Sequence, residues 1–223
     1  MSDSEAKAHR KRKRSKCTLK FERQLAKDGY ALIAGTDEVG RGALAGPVVA
    51  AAVILQIGNV PRGLNDSKQL TRARREELEE QIMKRAVAFA IARVEHDQID
   101  SINILQASLL AMAQAAKALQ PQPDYVLIDG RNEVPQLACP QMTIVKGDSL
   151  SASVAAASIL AKVARDRLMR EYDEQYPGYG FASHVGYNTR EHQEAIARLG
   201  PSAIHRLTFQ GVKFYQASLD LRD

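Results

Sequence analysis

Apolar residues in this chain recur in two periods, and the switches between them mark the elements. Ala31 to Val39 and Pro47 to Leu55 are short apolar runs rich in strand formers. The glycine-containing link between them predicts an antiparallel pair. A turn-rich stretch with Asn65-Asp66-Ser67-Lys68 follows, and Thr71 is placed to cap a charged helix running to Lys84. Leu78, Ile82 and Arg85 mark the inner stripe of that helix, and Ala86 to Val94 reads as a third strand. Asp100 is placed to cap the next helix. There Ile102, Leu105, Leu109, Met112, Ala116 and Leu119 step by three and four, so they share a face that packs on a sheet. Pro121 stops it.

Tyr125 to Ile128 is a buried strand ending in Asp129-Gly130, and Met142 to Val145 is another, ending in Lys146-Gly147-Asp148. The alanine- and serine-rich stretch from Ala152 to Tyr172 predicts a long helix whose small side chains let it lie close against the sheet. Lys162 and Asp166, four apart on it, read as an intrahelical ion pair. A loop with Tyr176, Pro177, Tyr179, Gly180 and Tyr187 leads to a short helix from Arg190 to Leu199, then to His205-Arg206-Leu207-Thr208-Phe209. No internal repeat or second core is visible, so residues 18–223 read as one α/β domain.

The chemistry sits where the strands stop. Asp37 and Glu38 are adjacent acids between two apolar runs, Asp129 ends one later strand and Asp148 follows another. Most Asp-Glu pairs are solvated surface acids, but burying charge beside strand residues costs several kcal/mol unless something offsets it. Ligands of open α/β sheets gather in the crevice at strand ends. Clustered carboxylates repel unless a cation neutralises them, and their oxygens suit Mg2+ or Mn2+. Successive strand residues face opposite ways. Asp37 and Glu38 therefore serve one site only if their strand is finishing, which the Gly40-Arg41-Gly42 turn permits. None of the histidines has ligand spacing with another, which argues against zinc.

Composition adds an expected partner. The 223 residues suffice for one sizeable domain, and a net charge of +5 favours a polyanion. Cys17 and Cys139, without a CxxC, fit a reducing, cytoplasmic compartment. Apolar runs are too short for a membrane span and no signal-type segment opens the chain, so a soluble intracellular protein is expected; a monomer is the expected state. Residues 1–17 carry Arg10, Lys11, Arg12, Lys13, Arg14 and Lys16 and read as a disordered arm, either a solvated tail or a loose tether for nucleic acid.

Taken in order, DEVGRGALAGPVVAAAV, NDSKQL, LIDG, VKGD, AAASILAKVARDRLM, HVGYNTREH and IHRLTF resemble the motifs of ribonuclease HII, the bacterial type 2 ribonuclease H, over residues 30 to 215. The resemblance implies a ribonuclease-H-like mixed sheet flanked by helices, with a helical C-terminal part. It implies hydrolysis of the RNA strand of RNA–DNA hybrids and cutting 5′ of ribonucleotides embedded in duplex DNA. Metal-activated water would leave 3′-OH and 5′-phosphate ends, and the cellular role would be ribonucleotide removal from DNA. By the same resemblance, Asp37, Glu38, Asp129 and Asp148 form the catalytic metal site, with Mn2+ or Mg2+ as cofactor. Gly40, Arg41 and Gly42 map to a turn that reads the ribose hydroxyl, and Tyr187 to a ring packed on the sugar. Lys68 and Arg41 map to phosphate contacts. A core tyrosine at Tyr187 and a solvated loop lysine at Lys68 are the plainer readings of those two positions.

Three departures from the family pattern stand out: Val39 for the usual alanine, Val185 for the lysine before the Gly-Tyr pair, and Ser149-Leu150-Ser151 where a lysine often follows the KGD motif. Another metal-dependent nuclease or phosphotransferase, and a catalytically silent binding module, are the rival readings. The glycine turn with Tyr187 speaks against the first, since it supplies a reason to require the 2′-OH that separates RNA from DNA. The four intact acids speak against the second.

Deleting residues 1–16 should weaken nucleic-acid binding without moving the cut. Each lost phosphate contact should make the slope of log affinity against log salt shallower by roughly 0.9. An unchanged slope would make the arm a bystander.

Overall fold

A computed structural model describes residues 17–213. The basic arm expected over residues 1–17 lies outside them except for Cys17, as do residues 214–223. The elements in order are α1 (Lys20–Lys27), β1 (Ile33–Val39), β2 (Val48–Leu55), α2 (Arg72–Arg85), β3 (Ala86–Val94), α3 (His96–Ile102), α4 (Ile104–Lys117), β4 (Tyr125–Asp129), β5 (Gln141–Ile144), α5 (Ala152–Gln175), α6 (Phe181–His184) and α7 (Arg190–Leu199). The strands form one mixed sheet in the order β3-β2-β1-β4-β5. β1, β2 and β3 are antiparallel in succession, whereas β4 runs parallel to β1 and β5 parallel to β4.

Alternation along β1 and β2 divides the core in two. Ala34, Ala50, Ala52 and Ile54 join Val126 and Ile128 beneath Ala107, Ala111, Met112 and Leu119 on the α4 side. Val49, Ala51 and Val53 face the other way, against Leu78 and Ile82 of α2 and the run Ala155–Leu160 of α5. The alanines of α5 bring it onto the sheet at backbone distance. A Cβ on Gly35 would lie 2.2 Å from the Ser153 carbonyl carbon and 2.3 Å from the Val154 nitrogen.

Several boundaries differ from the sequence expectation, each for a local reason. Asp100 caps no helix. It lies within α3, and its carboxylate accepts from the amides of Leu207 (2.7 Å) and Thr208 (3.1 Å), so it anchors the C-terminal segment instead. The cap of α4 is Asn103, at positive φ (67°), whose Oδ1 accepts from the amides of Leu105 and Gln106. The apolar periodicity runs across the break and hides it. β1 starts at Ile33 because the amides of Ala31 and Leu32 bind the Asp124 carboxylate at 2.7 and 2.9 Å. Helix α1 was not anticipated. Its buried Glu22 accepts from the Ser151 hydroxyl (2.7 Å) and the Ser153 amide (2.9 Å), an anion at the N-terminus of α5. The Lys162–Asp166 ion pair is present at 2.5 Å, and Arg75 joins it at 3.4 Å.

Gly35→Ala should destabilise the protein by at least about 3 kcal/mol, the upper end of overpacking costs, since backbone rather than a side chain would have to move. Urea unfolding checks this through a lowered midpoint at unchanged slope. A midpoint like that of the wild type would mean that α5 is free to shift away from β1.

Candidate active site

The parallel strands β1, β4 and β5 end on the same side of the sheet, and the candidate acids collect there. The β1–β4 register pairs Thr36 with Ile128, which sets Asp37 level with Asp129 on the neighbouring strand. β1 stops at Val39, one residue past Glu38, so the two adjacent acids sit where the strand is giving way to the turn. Asp148 stands on a short 3-10 turn (Gly147–Ser149) beyond β5. Its neighbour ties the turn to β4, since the Gly147 amide donates to Asp129 Oδ1 at 2.7 Å. Asp37 and Asp148 are buried.

These groups act on one another. Burial, then the charges of Glu38 and Asp129, hold the Asp37 carboxyl well above the usual carboxylate range. Burial also raises Glu38, against the opposing pull of Arg41 at 3.1 Å. Asp148 is pushed up to about 6, by burial first and by Asp129 next. Lys68 belongs to the same cluster. Burial alone would lower its pKa, but Asp37, Asp66, Asp148 and the Tyr187 phenol together raise it. The turn that carries it is fixed by Asp66, which accepts from the Lys68 amide at 2.9 Å, and by Ser67, whose hydroxyl meets that of Ser158 at 2.9 Å.

Among the described residues, no three His, Cys, Asp or Glu side chains form a ready-made cage for a metal ion. The donor chemistry nonetheless fits a hard divalent cation. Every donor is a carboxylate, three of them are driven toward protonation by burial and mutual charge, and Glu38 Oε2 is buried with no hydrogen-bond partner among the described residues.

The Gly40-Arg41-Gly42 turn lies against Tyr187, since Ala43 bridges to Tyr187 and the Leu44 amide donates to the Gly186 carbonyl at 2.8 Å. Gly40 is glycine for an internal reason: its φ is 93°, and a Cβ would fall 2.2 Å from Arg165 Nε. Gly42 is different, because a Cβ there would meet nothing within 4 Å, so the space over it is open. Tyr187 is half-buried, with Lys162 Nζ 5.9 Å and Arg165 Cζ 5.5 Å from its ring centroid.

Sequence reasoning missed what holds this turn. Arg165 and Arg206 are fully buried, and among the described residues neither forms an ion pair with a carboxylate. Arg165 donates to the carbonyls of Pro47, Val185 and Ala45, and Arg206 to those of Gly46 and Arg41. Two histidines, His192 and His205, are buried behind Tyr187 with their Nε2 atoms 3.0 Å apart. Neither carries a sequence signal of this role, since His192 stands in the polar run Arg190-Glu191-His192-Gln193-Glu194 and looks like a solvated helix position. Of the departures, Val39 packs into the α5-side core, Ser149 hydrogen-bonds Asp148 at 3.3 Å, and Ser151 caps α5 through the Val154 amide.

Comparison with known proteins bears on the family and the fold. The family model described as ribonuclease HII matches residues 34–212. The chain is 58% identical over 200 residues to the ribonuclease HII of Geotalea uraniireducens, covering 90% of this chain and 92% of that one. The ribonuclease HII of Moorella thermoacetica is 55% identical over 199 residues, 89% of this chain and 96% of that one. Among solved structures, ribonuclease H2 from Pyrococcus horikoshii superposes with a TM-score of 0.72 at 25% identity, covering 85% of this chain and 99% of that one.

Carboxyls with raised folded pKa values cost nothing while protonated in both states and their full repulsion once ionised. Free of divalent ions, the protein should therefore lose this part of its stability as pH rises from about 4 through the Asp148 value of about 6. Asp148→Asn should raise the urea midpoint of the ion-free protein at pH 7.5 and leave it unchanged at pH 4. A midpoint at pH 7.5 no higher than that of the wild type would mean that the acids do not repel.

Proposed function

Because the chain belongs to the ribonuclease HII family, we propose that it is a metal-dependent endoribonuclease that hydrolyses the RNA strand of RNA–DNA hybrids and cuts 5′ of ribonucleotides embedded in duplex DNA. The observation that carries this reading is the meeting, at the ends of β1, β4 and β5, of Asp37, Glu38, Asp129 and Asp148 with the Gly40–Gly42 turn and Tyr187. Asp37, Glu38, Asp129 and Asp148 would hold Mn2+ or Mg2+. Such an ion supplies Lewis acidity at the phosphate and makes a bound water more acidic. The open space over Gly42 lets main-chain groups of the turn approach a ribose, and the 2′-OH is what they would recognise. Lys68 and Arg41, whose charges already face the acids, would take phosphate oxygens. The Tyr187 ring would pack on the sugar beside the cut.

The catalytic domain would span residues 18–223, with residues 1–17 as a basic arm, in a cytoplasmic monomer. Among the described residues no helix is long and apolar enough to cross a membrane. Removal of ribonucleotides from DNA is the cellular task this activity would serve.

Asp129→Asn should remain folded and lose most cleavage at saturating Mg2+ or Mn2+, and activity near wild type would take Asp129 out of the site. End-labelled hybrid cut by the wild type should yield a 3′-OH upstream and a 5′-phosphate on the ribonucleotide. A 2′,3′-cyclic phosphate would instead make the ribose hydroxyl the nucleophile and overturn the mechanism.

A further inference from the structure

The loop that carries Tyr187 is strained. Val185 lies in the left-handed region (φ 45°, ψ 39°), a rare place for a β-branched residue. Strain of that kind persists only where the surroundings over-determine the backbone. Here three successive residues are pinned. The Val185 carbonyl accepts from Arg165 Nη1 at 2.8 Å, the Gly186 amide donates to His184 Nδ1 at 3.2 Å, and the Tyr187 carbonyl lies 3.0 Å from His192 Nδ1.

The last contact fixes a chain of protons. A carbonyl only accepts, so His192 carries its proton on Nδ1 and leaves Nε2 as an acceptor. His205 Nε2, 3.0 Å away, must then be the donor. That leaves His205 Nδ1 to accept, and the Ser202 amide meets it at 2.8 Å. One arrangement therefore satisfies every atom: Ser202 amide to His205, His205 to His192, His192 to the Tyr187 carbonyl. His184, stacked on His192 with centroids 4.4 Å apart, accepts at Nδ1 and donates from Nε2 to the Tyr179 carbonyl. Burial above all pushes His192 and His205 down to about 4, so both rings are neutral where the chain would work.

We propose that His192 and His205 are positioning residues for Tyr187, forming a relay with a single proton arrangement that fixes the strained backbone beneath the sugar-facing ring and its register on the Gly40–Gly42 turn. The inference rests on the reading of Tyr187 as the sugar contact. Neither histidine touches substrate. The relay instead sets where the Tyr187 ring stands relative to Ala43 and Leu44, the residues that bridge to its loop.

The test compares variants that keep the hydrogen bond with variants that keep only the ring. His192→Asn retains a donor near the Nδ1 position, whereas His192→Phe retains bulk alone. On duplex DNA with one embedded ribonucleotide, His192→Phe should lower kcat about ten- to a hundredfold with KM nearly unchanged, as expected for a misplaced contact. His192→Asn should recover most of that loss. In a Tyr187→Ala background, His192→Phe should cost little more. Equal losses for the Asn and Phe variants, or a full additional loss in the Tyr187→Ala background, would overturn the proposal. Should His192→Phe fail to fold, His205→Gln against His205→Phe makes the same comparison, since glutamine keeps a donor near Nε2. Imidazole 15N spectra of the wild type give a readout apart from activity: the relay requires Nδ1–H on His192 and Nε2–H on His205, and any other pair of tautomers refutes it. A wild type with no cleavage of hybrids would instead refute the function proposed above, while the spectra would still judge the relay.

Discussion

Like charges at the ends of neighbouring strands push apart, and the architecture around β1, β4 and β5 is arranged to keep them together. Asp37 and Asp129 are neighbours because the parallel register makes them so, and a one-residue slip would turn Asp37 to the other face of the sheet. That register is enforced from behind by α5, which meets β1 backbone to backbone at Gly35. The alanine-rich face of α5 is thus part of the site's electrostatics, because it denies the strand any freedom to relax the repulsion. Lys68 supplies the partial compensation, on a turn tied to α5 through the Ser67–Ser158 contact.

Facing the acids is a region built on the opposite sign. Arg165 and Arg206 are buried cations whose hydrogen bonds go to main-chain carbonyls of residues 41–47 and 185. A buried guanidinium is costly unless its donors are matched, and here the acceptors, three for Arg165 and two for Arg206, whose Nη2 is left without a partner among the described residues, belong to the segments that would contact substrate. The same bonds therefore offset part of the desolvation of the charge and set the shape of the glycine turn. Asp100 closes this region from outside by gripping the amides of Leu207 and Thr208, next to Arg206 in the chain.

Much of this was written in the one-dimensional pattern. Runs of β-branched and alanine residues located the five strands and the long α5, since a buried strand and a close-packed helix leave a compositional trace. The four acids were legible as candidates because each falls at or just beyond the end of such a run, and the ordered motifs grouped them in one proposed site. The reading went astray where the apolar period stayed unbroken. Helices α3 and α4 look continuous, so Asp100 was assigned the cap that Asn103 makes with its positive-φ backbone. Helix α1 is short and half charged, and its one telling residue, Glu22, shows its purpose only beside Ser151, more than a hundred positions away.

What the chain by itself determined, then, was which residues carry charge at strand ends and which faces turn inward, because both follow from local periodicity. Only the tertiary structure decided how the acids raise one another's pKa values, why Gly40 rather than Gly42 is internally required, and what holds Tyr187 in place. Each of those depends on groups far apart in sequence. Arg165 lies 120 residues from the Ala45 carbonyl it holds, and His205 lies 13 from His192. Hydrogen bonds and charge repulsion act over a few ångströms of space, and no pattern along the sequence records which residues the fold will bring within that reach.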